Sequence, residues 1–165
     1  MNAEKQDQQT HLALEESIAT QSASLLVPIL ADTIFIQALY KKYHWHVEGT
    51  DFYEYHLLFD KHAGELIPLV DLVAERIRTL GAKAPGMPAD VIGNKTLEEP
   101  PDPANDAHAM AKNLCIVHQR FIKNLRVAID KTNELGDAGS NDMLTSDVLR
   151  RHELQLWFVR SSLAS

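Results

Sequence analysis

The chain has very little cysteine: Cys115 is the only one in 165 residues. An internal disulfide framework is therefore excluded, and a reducing cytoplasm is the expected compartment. Cys115 itself reads as a small apolar residue on a helix rather than a reactive thiol. Long apolar runs are missing too. No 18 consecutive apolar residues occur, so the sequence offers no obvious transmembrane helix. The opening MNAEKQDQQTHLALEES lacks the basic start and apolar core of a secretory signal. Positive charge is in deficit, with 16 Lys and Arg against 23 Asp and Glu and a net charge of −7. Bulk electrostatics then give nucleic acid no reason to bind. Several catalytic signatures are absent: no G-x-G-x-x-G, P-loop, G-x-S-x-G or H-E-x-x-H is found.

What is present is a globular composition, 45% apolar, on a chain long enough for one domain with a substantial core. Residues 1–10 are polar and read as a flexible tail; residues 11–165 read as a single domain. Leu25, Leu26, Ile29, Leu30, Ile34, Phe35 and Ala38 recur at steps of three and four, which predicts a first helix over about 12–47. Pro28 interrupts that pattern and points to a true start near Ser24. A second helix is expected over about 51–80, capped by Thr50 or Asp51, with Leu58, Phe59, Leu66, Ile67, Val70, Val73, Ala74, Ile77 and Leu80 inward. Pro68 predicts a kink, and His62 reads as a surface residue. Gly81 to Asp106 holds Pro85, Pro88, Pro100, Pro101 and Pro103 and reads as one long connection, with a short helix from Pro88. A third helix follows over about 106–135. A fourth runs from about Ser140 to Ser162, with Leu144, Val148, Leu154, Trp157 and Phe158 inward. His108, His118 and His152 have no carboxylates at ligand spacing and read as core or surface residues.

The second helix carries the chemistry. His56 and Asp60 are one turn apart, Asp71 and Glu75 repeat that spacing, and eleven residues separate Asp60 from Asp71, close to three turns. All four share a face, and imidazole with carboxylates suits iron or zinc. The two pairs are too far apart to share one ion, since Asp60 and Asp71 lie roughly 16 Å apart along the axis. A second copy running antiparallel would bring His56 and Asp60 of one chain to Asp71 and Glu75 of the other, giving two equivalent sites in a two-fold dimer. His44, in the last turn of the first helix, can reach that site. Spacing alone leaves a second reading open, a solvated acidic stripe.

The run His44-Trp45-His46-Val47-Glu48-Gly49, with Phe52, then His56-Leu57-Leu58-Phe59-Asp60, then Asp71-Leu72-Val73-Ala74-Glu75-Arg76 and Leu80-Gly81, resembles the Dps family of small ferritin-like proteins. The likeness extends more weakly to Asn141-Asp142-Met143-Leu144 and Leu156-Trp157-Phe158. It implies an all-α ferritin-like four-helix bundle, with a long crossover holding a short helix between helices 2 and 3. It also implies a hollow shell of twelve subunits built from two-fold dimers. The family's ferroxidase ligands match at His44, His56, Asp60, Asp71 and Glu75, which implies oxidation of Fe(II) by hydrogen peroxide or oxygen and storage of the mineral. The matching Trp45 would take up oxidising equivalents, and Tyr40 and Tyr43 are placed to share that role. Asp142 and, secondarily, Asp137 match the carboxylates that line three-fold iron pores. His46 stands where the family usually has Asn, and reads as a non-ligand. No E-x-x-H occurs, which counts against a ferritin with its metal centre inside one bundle.

Two rival readings follow from the same residues. One is a nucleoid protein acting mainly by binding DNA, against which stand the acidic balance and a tail with only Lys5 beside Glu4 and Asp7. The other is a shell whose sites are occupied by zinc, with little turnover.

Overall fold

The computed structural model describes residues 11–163. Among them, α1 (Glu16–His46) and α2 (Phe52–Thr79) form an antiparallel pair, α3 (Pro88–Asn94) sits in the crossover, and α4 (Ala107–Glu134) starts the second half. The last helix is built in three parts: α5 (Ala138–Asp142), a π-helical stretch (Met143–Leu149) and α6 (Arg150–Ser161).

α1 starts at Glu16, not near Ser24, and passes unbroken through Pro28. A proline at this position removes the bond to the carbonyl of Ser24, and Ser24 lies at the exposed side of the helix, where the loss costs least. α2 is likewise unbroken through Pro68, where Gly64, four residues back, is exposed. α1 is also long and apolar enough to cross a membrane by length and composition. Leu26, Leu30, Ile36 and Tyr40 are instead fully buried in the bundle, as in the core helix of a soluble fold.

Core packing corrects two parts of the periodicity reading. Ile67 is 59% exposed, and Leu154, Trp157 and Phe158 form an exposed apolar stripe on α6. On α6 the inward positions belong to His152, Gln155 and Val159. The second correction is His62, which is fully buried. It stands three residues after Phe59 and four before Leu66, in phase with the core of α2.

The crossover is pinned by a buried carboxylate. Asp32 on α1 accepts from Thr96 N at 2.7 Å, Thr96 Oγ1 at 2.5 Å and Leu97 N at 3.1 Å. Burial pushes its carboxyl up, and the three bonds and Lys95 oppose that rise. Asn113 on α4 holds the other end, donating to Tyr43 Oη at 3.0 Å and to Pro101 O at 2.9 Å.

Candidate metal centre

The α1–α2 turn sets the site. α1 ends at His46 and is capped by extended Val47, whose N–H bonds Tyr43 O at 2.9 Å. Gly49 then takes φ +105°, a region that favours glycine, and Phe52 N returns to Gly49 O at 3.2 Å. This tight reversal places His44 beside His56. Their rings stack with centroids 3.8 Å apart, and Phe52 lies 4.9 Å from the ring of His56.

The two histidines orient each other through the backbone. His44 Nδ1 lies 2.9 Å from His56 O, and His56 Nδ1 lies 2.9 Å from His44 O. A carbonyl only accepts, so both Nδ1 atoms carry a proton, and in the neutral form of each ring the lone pair is on Nε2. That is the tautomer a metal-binding imidazole needs, fixed by a backbone partner. His44 Nε2 is 3.9 Å from Asp60 Oδ1. Asp60 is exposed and accepts from Lys41 Nζ at 2.6 Å, and that bond is the main reason its carboxyl lies below the ordinary range. Lys41 was not legible as part of the site; it stands three residues before His44, one turn back on the same face.

Asp71 and Glu75 are exposed on α2, and no group of three His, Cys, Asp or Glu able to hold a metal exists within one chain among the described residues. One chain thus brings together His44, His56 and Asp60 and leaves Asp71 and Glu75 apart from them. The neighbouring surface of α2 is apolar at Leu57, Ile67 and Leu72. Trp45 is 68% exposed beside this face, with Lys41 Nζ 5.9 Å from its ring centre. His46 is exposed and turns back on its own helix, with Nδ1 2.8 Å from Lys42 O.

The two pore candidates separate. Asp142 is exposed, accepts from Ser146 Oγ at 2.9 Å, and shares an open cleft of about 280 Å³ with Glu75 and Asp147. Asp137 is buried, pairs with Arg76 at 2.6 Å and caps α5 by accepting from Ser140 N at 3.0 Å. An Asp in this first turn is doing the work of a helix cap, and its carboxylate is not free to line an ion path. Gly139 lets Arg76 approach: a Cβ there would lie 3.0 Å from Arg76 Nη2.

An antiparallel helical bundle with a short helix in the crossover between its two halves has the ferritin-like architecture. The profile of the ferritin-like domain matches residues 23–165. DpsC from Streptomyces coelicolor superposes with a TM-score of 0.90 at 43% identity, covering 96% of this chain and 92% of that one. Dps from Mycobacterium smegmatis superposes with a TM-score of 0.87 at 30% identity, covering 92% of each. The DNA protection during starvation protein of Mycolicibacterium smegmatis is 30% identical over 156 residues, 92% of this chain and 82% of that protein. The chain belongs to the Dps family of ferritin-like proteins.

Proposed function

We propose that the protein oxidises Fe(II) at sites shared between two-fold related subunits and stores the Fe(III) product inside a twelve-subunit shell, with hydrogen peroxide as the preferred oxidant. The observation that carries this reading is the reciprocal His44–His56 lock, which occupies both Nδ1 atoms and leaves both Nε2 atoms available at a partly buried position beside exposed Asp60. A buried or merely structural pair of histidines gains nothing from having both Nε2 atoms left free.

In this reading His44, His56 and Asp60 of one subunit bind the iron with Asp71 and Glu75 of its partner. Two neutral imidazoles and up to three carboxylates hold iron in both oxidation states, because the carboxylates compensate the added charge. Arrival of a cation displaces Lys41 from Asp60, exchanging one positive charge for another. Exposed Leu57, Ile67 and Leu72 supply the apolar part of the two-fold contact. The cleft joining Asp142, Asp147 and Glu75 gives Fe(II) an acidic approach to the site. Consuming Fe(II) and peroxide together protects DNA without contact, and the expected place is the cytoplasm. Residues 1–10, where a DNA-binding tail would lie, fall outside the described residues.

Stopped-flow absorbance of the apo-protein mixed with anaerobic Fe(II), then with peroxide or oxygen, tests the proposal. Fe(III) absorbance should rise faster than in buffer, faster with peroxide than with oxygen, and the gain should vanish in an Asp71→Ala/Glu75→Ala variant. A rise equal to buffer, or unchanged in the variant, refutes it. Metal analysis of protein purified without added metal decides the zinc alternative.

A further inference from the structure

The bundle interior contains a polar chain built from one residue of each long helix. Tyr40 (α1), His62 (α2), His118 (α4) and His152 (α6) are all fully buried. Tyr40 Oη lies 2.7 Å from His118 Nε2 and 3.2 Å from His62 Nδ1, and His118 Nδ1 lies 3.2 Å from His152 Nδ1. The outer atoms, His62 Nε2 and His152 Nε2, are buried and unpartnered. The inner nitrogens are taken up by one another, so this cluster is not a metal site, in keeping with the lack of any such grouping among the described residues.

Counting protons leaves two arrangements. A neutral imidazole has one N–H and a phenol one O–H, and each contact needs one donor. If Tyr40 donates to His118 Nε2, then His118 Nδ1–H donates to His152, and His62 Nδ1–H donates to Tyr40. If Tyr40 donates to His62 instead, every proton along the chain reverses. The 2.7 Å contact is the normal length of an O–H donor bond, and 3.2 Å suits an N–H donor, so the first arrangement holds. Tyr40 therefore has its O–H aimed at a buried neutral base, which has a second base behind it.

We propose that Tyr40 is a redox-active residue, giving one electron to an oxidant and its proton to His118. The co-reactant is a one-electron oxidant of the class that Fe(II) and peroxide generate. The phenol loses an electron and its O–H bond breaks. The proton forms the Nε2–H bond of His118, and the oxidant is reduced by one electron. A neutral phenoxyl radical and one imidazolium remain. Transfer of the His118 Nδ1 proton to His152 Nδ1 then moves the positive charge one ring further, and both steps reverse on re-reduction. Burial keeps the resting state neutral, since it pushes the Tyr40 hydroxyl far up and the His118 imidazolium down to about 3. No proton moves until the electron does. Tyr40 also stands one turn before His44 on α1, about 6 Å along the axis, within easy electron-transfer reach of the surface face.

The iron reading supplies only the physiological oxidant; the Tyr40–His118 geometry stands apart from it, and the test uses no iron. Iron-free protein is flashed with a photogenerated ruthenium(III) tris-bipyridyl oxidant, frozen, and examined by high-field EPR. A tyrosyl signal with the signature of a hydrogen-bonded radical is expected, absent in Tyr40→Phe and retained in Tyr43→Phe. In His118→Gln, which accepts a hydrogen bond but takes no proton, radical formation should slow by about 10²-fold, the scale of a lost general base. The same protein labelled with ¹⁵N-histidine should show nitrogen coupling to the radical, a readout that needs no variant to fold. An unchanged hydrogen-bonded signal in Tyr40→Phe, or no histidine coupling in the labelled protein, overturns the proposal.

Discussion

Replacing Asp137 with alanine should cost the protein about 3–4 kcal/mol. Asp137 does two jobs with one oxygen. Its Oδ1 accepts from Ser140 N at 3.0 Å, capping α5, and from Arg76 Nη2 at 2.6 Å, tying the last helix to α2. Losing an N-cap costs about 1 kcal/mol. Losing a charge-assisted bond costs about 1.5–3 kcal/mol. Arg76 would be left partly buried without its counter-charge, which is why one-sided loss of such pairs reaches about 3–5 kcal/mol. Urea unfolding followed by circular dichroism, at fixed protein concentration, measures the loss. A cycle with Arg76→Ala should show a coupling of at least about 1.5 kcal/mol. Asp137→Asn, which keeps a cap acceptor but not the charge, should lose about half as much and adds a pH test. Burial opposes the Asp137 charge, but Ser140, Ser22 and Arg76 outweigh it and hold its carboxyl below the ordinary 3.8. A depressed carboxylate stabilises above its unfolded value and loses that contribution as pH falls through its folded value. The gap to Asp137→Asn should therefore persist from pH 7 downward and close only below pH 3.8. A cost below about 0.5 kcal/mol, the range of ordinary surface changes, would refute this account.

Three further outcomes are expected. Asp32→Ala strips three acceptor contacts from Thr96 and Leu97 and leaves the N–H of buried Leu97 unmet, so limited proteolysis should cut between Gly81 and Asp106 at least severalfold faster; an unchanged cleavage rate would contradict the anchoring role. Lys41→Ala removes the cation that competes for Asp60, so Zn(II) or Fe(II) affinity by titration calorimetry should rise, and weaker binding would show that Lys41 supports the site instead. His62, His118 and His152 are all held below their ordinary 6.5 by burial first, so between pH 6.5 and about 4 the unfolded chain binds up to three more protons than the native one. Stability should then fall with acid at up to roughly 4 kcal/mol per pH unit, and urea midpoints that stay flat between pH 6.5 and 5 would count against neutral buried histidines.

Much of this was legible in the sequence. The helix order, the long crossover and the short helix within it follow from periodicity and the placement of proline. The shared face of His56, Asp60, Asp71 and Glu75 follows from spacing alone. The mutual lock of His44 and His56 does not, because it depends on how the Val47–Asp51 turn sets two helices side by side. His62 was misplaced for a different reason. A histidine beside an acidic stripe invites a surface reading, although its phase with Phe59 and Leu66 put it in the core. His118, four after Leu114 and three before Phe121, and His152, four after Val148, carry the same signal. Conversely, Leu154, Trp157 and Phe158 read as inward because they are apolar, while two of the three inward positions on α6, His152 and Gln155, are polar. Hydrophobicity sorts residues by side only when the core is uniformly apolar, and this one is not.

The Gly49 reversal has a mechanical consequence. Each site histidine is steered by a carbonyl of the opposite helix, so the two rings gauge the alignment of α1 against α2. Sliding one helix by a single residue, about 1.5 Å, would break both contacts together. On the proposed reading, metal affinity at this face would report strain inside the bundle, and filling the sites should clamp the α1–α2 hairpin against shear.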